Sequence, residues 1–199
     1  MKKILFWLLL LPAMAPAQQT NVQTTEYPND YLSPAFHAGR RAAFKEKMPA
    51  KSVGIFFASQ VRLRNDDVDY QYAQSKNFYY FTGLEEPNAM LLLFKEPTTI
   101  LGKTGTEFIF VQNRDPQREM WNGKILGVEG VTKRYQFTNV FLNRDFKNNT
   151  IALNEYDSVL TSFRSEDIFQ TYPRTRDELS RMAGIVDSLI KAHNKPIAS

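Results

Sequence analysis

Three apolar runs dominate the middle of the chain: Val53 to Ala58, Ala89 to Phe94 and Phe108 to Gln112. Each is continuous rather than alternating, the pattern of strands buried on both faces. The aromatic run Phe78 to Thr82, stopped by Gly83, predicts a further strand, and Ile151 to Leu153 a short one. Helix signals lie between and around them. Ser33-Pro34 pairs an N-cap with proline at the first helical position and predicts a helix to about Met48, before Pro49. Asp115-Pro116 repeats the sign and predicts a short helix through Trp121. Near the end, Leu179, Met182, Ala183, Val186, Leu189 and Ile190 recur at helical spacing. Thr175 and Glu178 have capping-box spacing ahead of them, and the helix should stop near Asn194, with Pro196 beyond. Arg62 to Asp69 reads as a charged loop, Pro97 to Thr106 as a turn-rich connection, and Gly123, Gly127 and Gly130 as loop markers. Together these elements predict an α/β domain whose sheet is covered by helices on both faces.

The first residues carry a different pattern. Lys2 and Lys3 precede an apolar run from Ile4 to Leu11, broken at Pro12, and small residues follow at Ala13, Ala15 and Ala17. This is the layout of a secretory signal peptide with cleavage after Ala17. The run is too short for a bilayer-spanning helix, which needs about 20 residues. The expected organisation is therefore a signal peptide over 1–17, a flexible polar leader over 18–32 and one domain over 33–199. The expected address is the bacterial periplasm or exterior, with no membrane attachment after cleavage.

Composition narrows the chemistry. Of 199 residues, 43% are hydrophobic and 13% aromatic, enough for a packed core. There is no cysteine, which excludes disulfides, thiolate-bound metals and thiol catalysis. His37 and His193 are the two histidines. His37 reads as a surface or partly packed helix residue, and His193 as a cation at a helix C-terminus. The net charge is +4, and loss of Lys2 and Lys3 with the signal leaves 23 basic against 21 acidic residues. No clustered basic stripe suggests a nucleic-acid partner.

Two apparent motifs fail on inspection. Gly102-Lys103-Thr104 looks like the tail of a phosphate-binding loop, but Pro97 stands where its first glycine belongs. Asp66, Asp67 and Asp69 suggest calcium, yet the sixth and twelfth loop positions would be Gln71 and Asn77 instead of Gly and Glu. No catalytic or metal-binding set emerges from spacing.

A longer pattern is more specific. Arg64-Asn65-Asp66-Asp67 is followed by Tyr72, then by Asn77-Phe78-Tyr79-Tyr80-Phe81-Thr82-Gly83, then by Glu86-Pro87-Asn88-Ala89. Further on come Arg118-Glu119-Met120-Trp121-Asn122-Gly123 and Gly127. With Phe36, Arg40 and Arg41 in the first helix, this resembles the N-terminal domain of Xaa-Pro aminopeptidase (aminopeptidase P), of the creatinase and prolidase group. The resemblance is closest from Ser33 to Gly130. It implies a mixed sheet flanked by helices, the family's N-terminal fold. It also implies that the "pita-bread" catalytic domain, which holds two manganese ions through two Asp, one His and two Glu, lies outside this chain. Two metals lower the pKa of a bridging water and polarise the peptide bond before proline. On that resemblance the chain has no catalytic residue and binds no metal itself, and it should be inactive alone.

The resemblance further implies partners. These are peptides with proline in second place, the catalytic domain of the same protein, and other copies of the chain in a homo-oligomer. Asp67 would meet the substrate's free amino group and Trp121 would wall its proline, the matching positions lying at a neighbouring subunit's active site in some oligomeric members. The plainer readings are that Asp67 caps its loop and Trp121 packs under its helix. Tyr79 and Tyr80 read as core and strand-face residues. Ala73 stands where many relatives carry arginine, so a charge pair there is missing. The alternative function is a stand-alone, non-catalytic module for peptide binding or oligomerisation.

Overall fold

The computed structural model describes residues 32–66, 68–161 and 177–198. The expected signal peptide, most of the polar leader, Asp67 and Thr175 lie outside the described residues. The structure opens on α1 (Pro34–Lys47), capped by Ser33, whose hydroxyl accepts the Phe36 N–H. It continues through β1 (Ser52–Phe57), β2 (Leu63–Asn65), β3 (Val68–Asp69), α2 (Lys76–Thr82), β4 (Met90–Ile100) and β5 (Lys103–Val111). After these come α3 (Pro116–Asn122), α4 (Gly127–Tyr135), β6 (Val140–Leu142), two 3-10 turns (Asn143–Asp145 and Leu153–Glu155) and β7 (Ser158–Leu160). The final elements are α5 (Glu178–Ala192) and β8 (Ile197–Ala198).

Six strands form one mixed sheet in the order β6-β5-β4-β1-β7-β8. The central pairs, β1 with β4 and β4 with β5, are antiparallel, and β6, β7 and β8 join in parallel. Because strand side chains alternate between faces, the apolar runs supply two cores at once. Ile55, Leu92 and Phe108 align across three strands on one face, which α5 closes with Leu179, Met182, Ala183 and Val186. Phe56, Leu91, Ile109 and Val140 align on the other, which α1, α2 and α4 close with Met48, Phe78, Phe81 and Val131.

Several expectations are corrected. Phe78 to Thr82 is helical, not a strand. Ser75 caps it, Phe78, Phe81 and Thr82 turn inward at helical spacing, and Gly83 ends it at φ 71°. Aromatic strand propensity loses here to capping and to the face these residues bury. The connection from Pro97 to Thr106 is mostly ladder, because β4 and β5 form a hairpin turning at Leu101 (φ 47°) and Gly102 (φ 80°). Positive φ at both central residues matches the twist of a two-residue hairpin. Gly102 therefore belongs to a β-turn, and Lys103 and Thr104 open β5. Gly127 and Gly130 lie in α4, not in a loop. Arg62 to Asp69 includes the β2–β3 hairpin. Leu153 opens a 3-10 turn, and the strand of that region is β7. The α5 N-cap is Asp177, which accepts the Ser180 N–H.

Candidate functional site

The site is the segment that leaves β5, turns through α3 and enters α4. Pro116 starts α3, and the Asp115 carboxylate accepts the Gln117 N–H at 3.0 Å. Successive residues of this helix are turned by about 100° from one another. Glu119 turns inward with its side chain 15% exposed, while Met120 and Trp121 are 77% and 88% exposed. An indole this exposed contributes nothing to the core, so the reading in which Trp121 packs under its helix is excluded. Gly123, at φ 79°, follows α3.

Two carboxylates hold the chain beyond that turn. Glu119 Oε1 accepts the Ile125 N–H at 3.1 Å and the Arg114 Nε–H at 3.0 Å. The next amide, Leu126 N–H, donates to Glu86 Oε1 at 2.6 Å. The second oxygen of Glu86 accepts from Gln112 Nε2 at 3.3 Å. Gln74 braces Glu86 from behind: its amide nitrogen donates to the Leu84 and Glu86 carbonyls, and its oxygen accepts the Ser59 and Ser75 N–H groups. Burial pushes the Glu86 carboxyl above the usual glutamate range, against the pull of the Leu126 and Gln112 hydrogen bonds. Glu119 is held below that range, chiefly by its hydrogen bond from Arg114. At Gly127, φ is 61° and a Cβ would stand 3.1 Å from the Arg114 Cβ, so the approach of α4 to the exit of β5 requires glycine. Glu86 and Glu119, 33 positions apart in the chain, are thus brought to adjacent amides.

The β2–β3 hairpin carries the acidic cluster. Asp66 sits at its turn with φ 44°, and Val68 and Tyr70 are exposed. Asp67 itself lies outside the described residues, so its expected partnership with Trp121 has no geometry. Ala73 is exposed. Tyr72 donates its hydroxyl to the Ser59 carbonyl at 3.2 Å, and burial raises its pKa. Tyr79 and Tyr80 lie on a helix instead of a strand, with Tyr80 exposed and Tyr79 edge-on to the His37 ring.

Sequence reasoning missed the buried polar side chains beneath α2. His37, expected as a surface or partly packed residue, is fully buried, and its Nδ1 meets the Tyr80 carbonyl at 2.9 Å. Arg41 donates to the Phe81 carbonyl and to Glu107, both at 2.7 Å, and its guanidinium lies 4.2 Å from the Phe137 ring centre. These two side chains satisfy the last carbonyls of α2, which a helix leaves open. Burial lowers the His37 pKa, and nearby Arg41 adds to the effect. The i, i+4 spacing of His37 and Arg41 was visible, but their partner had been read as a strand.

Among the described residues no group of three or more carboxylate or imidazole side chains converges as a metal site.

Comparison with known proteins places this geometry. The family model described as "Aminopeptidase P, N-terminal domain" matches residues 37–161. The chain belongs to that family. The Xaa-Pro aminopeptidase of Haemophilus influenzae is 34% identical over 107 residues, covering 54% of this chain and 24% of that protein. Aminopeptidase P from Escherichia coli, solved with the inhibitor Pro-Leu, superposes with a TM-score of 0.61 at 25% identity, over 81% of this chain and 33% of that one. Pseudomonas aeruginosa aminopeptidase PepP reaches a TM-score of 0.65 at 24% identity, over 84% of this chain and 36% of that one, which bears on the fold. The chain therefore spans about a quarter of the curated relative's length.

Proposed function

We propose that this chain is the N-terminal, non-catalytic portion of an exported Xaa-Pro aminopeptidase, a dinuclear manganese hydrolase that removes the residue ahead of proline. Its own part is to shape the substrate entrance and to make subunit contacts, with Trp121 as the apolar wall and Asp67 as the counter-charge for the peptide's amino group. The observation that carries the reading is the family match over 37–161. The exposed Trp121, on a segment held by two buried-side carboxylates, supports the entrance role, because a flat ring suits a rigid pyrrolidine.

Export is supported by Lys2-Lys3, the apolar run Ile4–Leu11 and Ala15-Pro16-Ala17. Among the described residues no helix is long and apolar enough to cross a membrane. N-terminal sequencing of the protein recovered from the periplasm or medium should begin at Gln18. An intact Met1 there would overturn the export reading.

An assay of the chain with an Xaa-Pro peptide and Mn²⁺ tests the division of labour. No turnover is expected, and clear turnover would show that the chemistry lies in this chain. Reading the frame past Ser199 for the Asp, Asp, His, Glu, Glu set tests the same point from the other side.

A further inference from the structure

We infer that Glu86 and Glu119 are positioning residues that act as one clamp, fixing the segment that presents Trp121. The inference rests on the entrance reading above for its functional meaning, but its geometry stands alone. Ile125 and Leu126 are consecutive, and their amides are taken by two carboxylates from separate parts of the chain, at 3.1 and 2.6 Å. Glu86 comes from the α2–β4 connection, on the rigid side, where Gln74 fixes its backbone. Glu119 comes from α3 itself, six residues before the amide it receives. The segment is thereby closed into a loop by Glu119 and tied to the domain by Glu86. Leu126 leads into α4, so both carboxylates sit near the positive end of that helix. Arg114 and Gln112 complete the ring from the end of β5.

This arrangement answers a physical problem. Trp121 and Met120 bury almost nothing, so no hydrophobic contact of their own fixes where they point. An exposed ring presented without order would lose its binding advantage to the cost of ordering it on contact. Charge-assisted hydrogen bonds to backbone amides fix the flanking chain instead.

The test uses the full chain carrying Trp7→Phe, which leaves Trp121 as its single tryptophan. In that parent, Trp121 should depolarise mainly with overall tumbling, and the Ile125 and Leu126 amides should exchange well below the intrinsic rate of an unstructured peptide of the same sequence. Glu86→Ala should add a fast component to the Trp121 anisotropy decay and speed Leu126 exchange by about tenfold or more. Glu119→Ala should act in the same direction at Ile125. Glu86→Gln keeps an acceptor oxygen and should restore most of the order, which loss of bulk alone does not explain. Core amides of β4 should exchange as before in every variant. Should Glu86→Ala fail to fold, Glu119→Ala and parental exchange decide the matter. Unprotected Ile125 and Leu126 in the parent, or unchanged anisotropy in Glu119→Ala, would overturn the clamp.

No peptide enters these measurements, so a failed clamp leaves the entrance reading standing. Conversely, a working clamp with Trp121 emission indifferent to an Xaa-Pro peptide in the oligomeric, longer protein would sink the entrance reading alone.

Discussion

The centre of the sheet and the β5–α4 segment are held by opposite kinds of force. Across β1, β4 and β5, Ile55, Leu92 and Phe108 stack in one row with no exposure at all, and the row on the reverse face is equally apolar. Such packing is strong, non-directional and indifferent to the details of loops. From Gln112 to Gly127 the positions are set by a few directed hydrogen bonds around Glu86 and Glu119, while the largest side chain faces solvent. The difference teaches where each job is done. The sheet supplies rigidity, and the rim offers apolar surface that folding does not consume.

Substitutions should separate the two regions sharply. Leu92→Ala removes a fully buried side chain that faces packed neighbours on both sides, and should destabilise the domain by roughly 2–5 kcal/mol in urea unfolding. A loss below about 1 kcal/mol would mean that the row can collapse around the gap. Arg41→Met should cost less, about 2 kcal/mol, because Lys45 still contacts Glu107 at 2.6 Å when Arg41 is gone.

The same group gives an acid signature. Burial pushes the Glu107 pKa up, but Arg41 and Lys45 outweigh it and leave it lowered from 4.5. A lowered folded pKa means that the unfolded chain binds the proton first. The stabilisation is thus fully present above 4.5 and drains away as pH falls through the folded value. Thermal melts below pH 4.5 should fall less steeply in Glu107→Gln than in the parent. Parallel slopes would remove Glu107 from the acid response.

Trp121→Ala should have the smallest effect on folding, within about 0.5 kcal/mol, despite deleting an indole. On the proposed entrance role, the readout that should move instead is turnover of an Xaa-Pro peptide by the longer protein. A large stability loss would place Trp121 in the core and erase the contrast between the two regions.

Much of this was legible from local signals. The Ser33-Pro34 and Asp115-Pro116 caps set the starts of α1 and α3, and the continuous apolar runs set β1, β4 and β5. These are near-neighbour or single-segment effects, so a linear reading reaches them. Phe78 to Thr82 was misread because five consecutive residues rich in aromatics carry strand propensity, whereas the helix depends on Ser75 before them and on His37 and Arg41 forty residues away. Gly127 looked like a loop residue because its real constraint, the Arg114 backbone, is a contact made only on folding.

By itself the sequence determined that an aromatic-rich chain would build a two-faced sheet, and that its motif blocks resembled one family's N-terminal domain. Apolar periodicity and capping act within a few residues, so they survive in a string of letters. Only the tertiary structure decided that Glu86 and Glu119 grip adjacent amides, that Arg41 and His37 close α2, and that Trp121 stands in solvent. Those outcomes depend on which distant groups arrive together, and a hydrogen bond is specified by direction and distance that spacing along the chain does not encode.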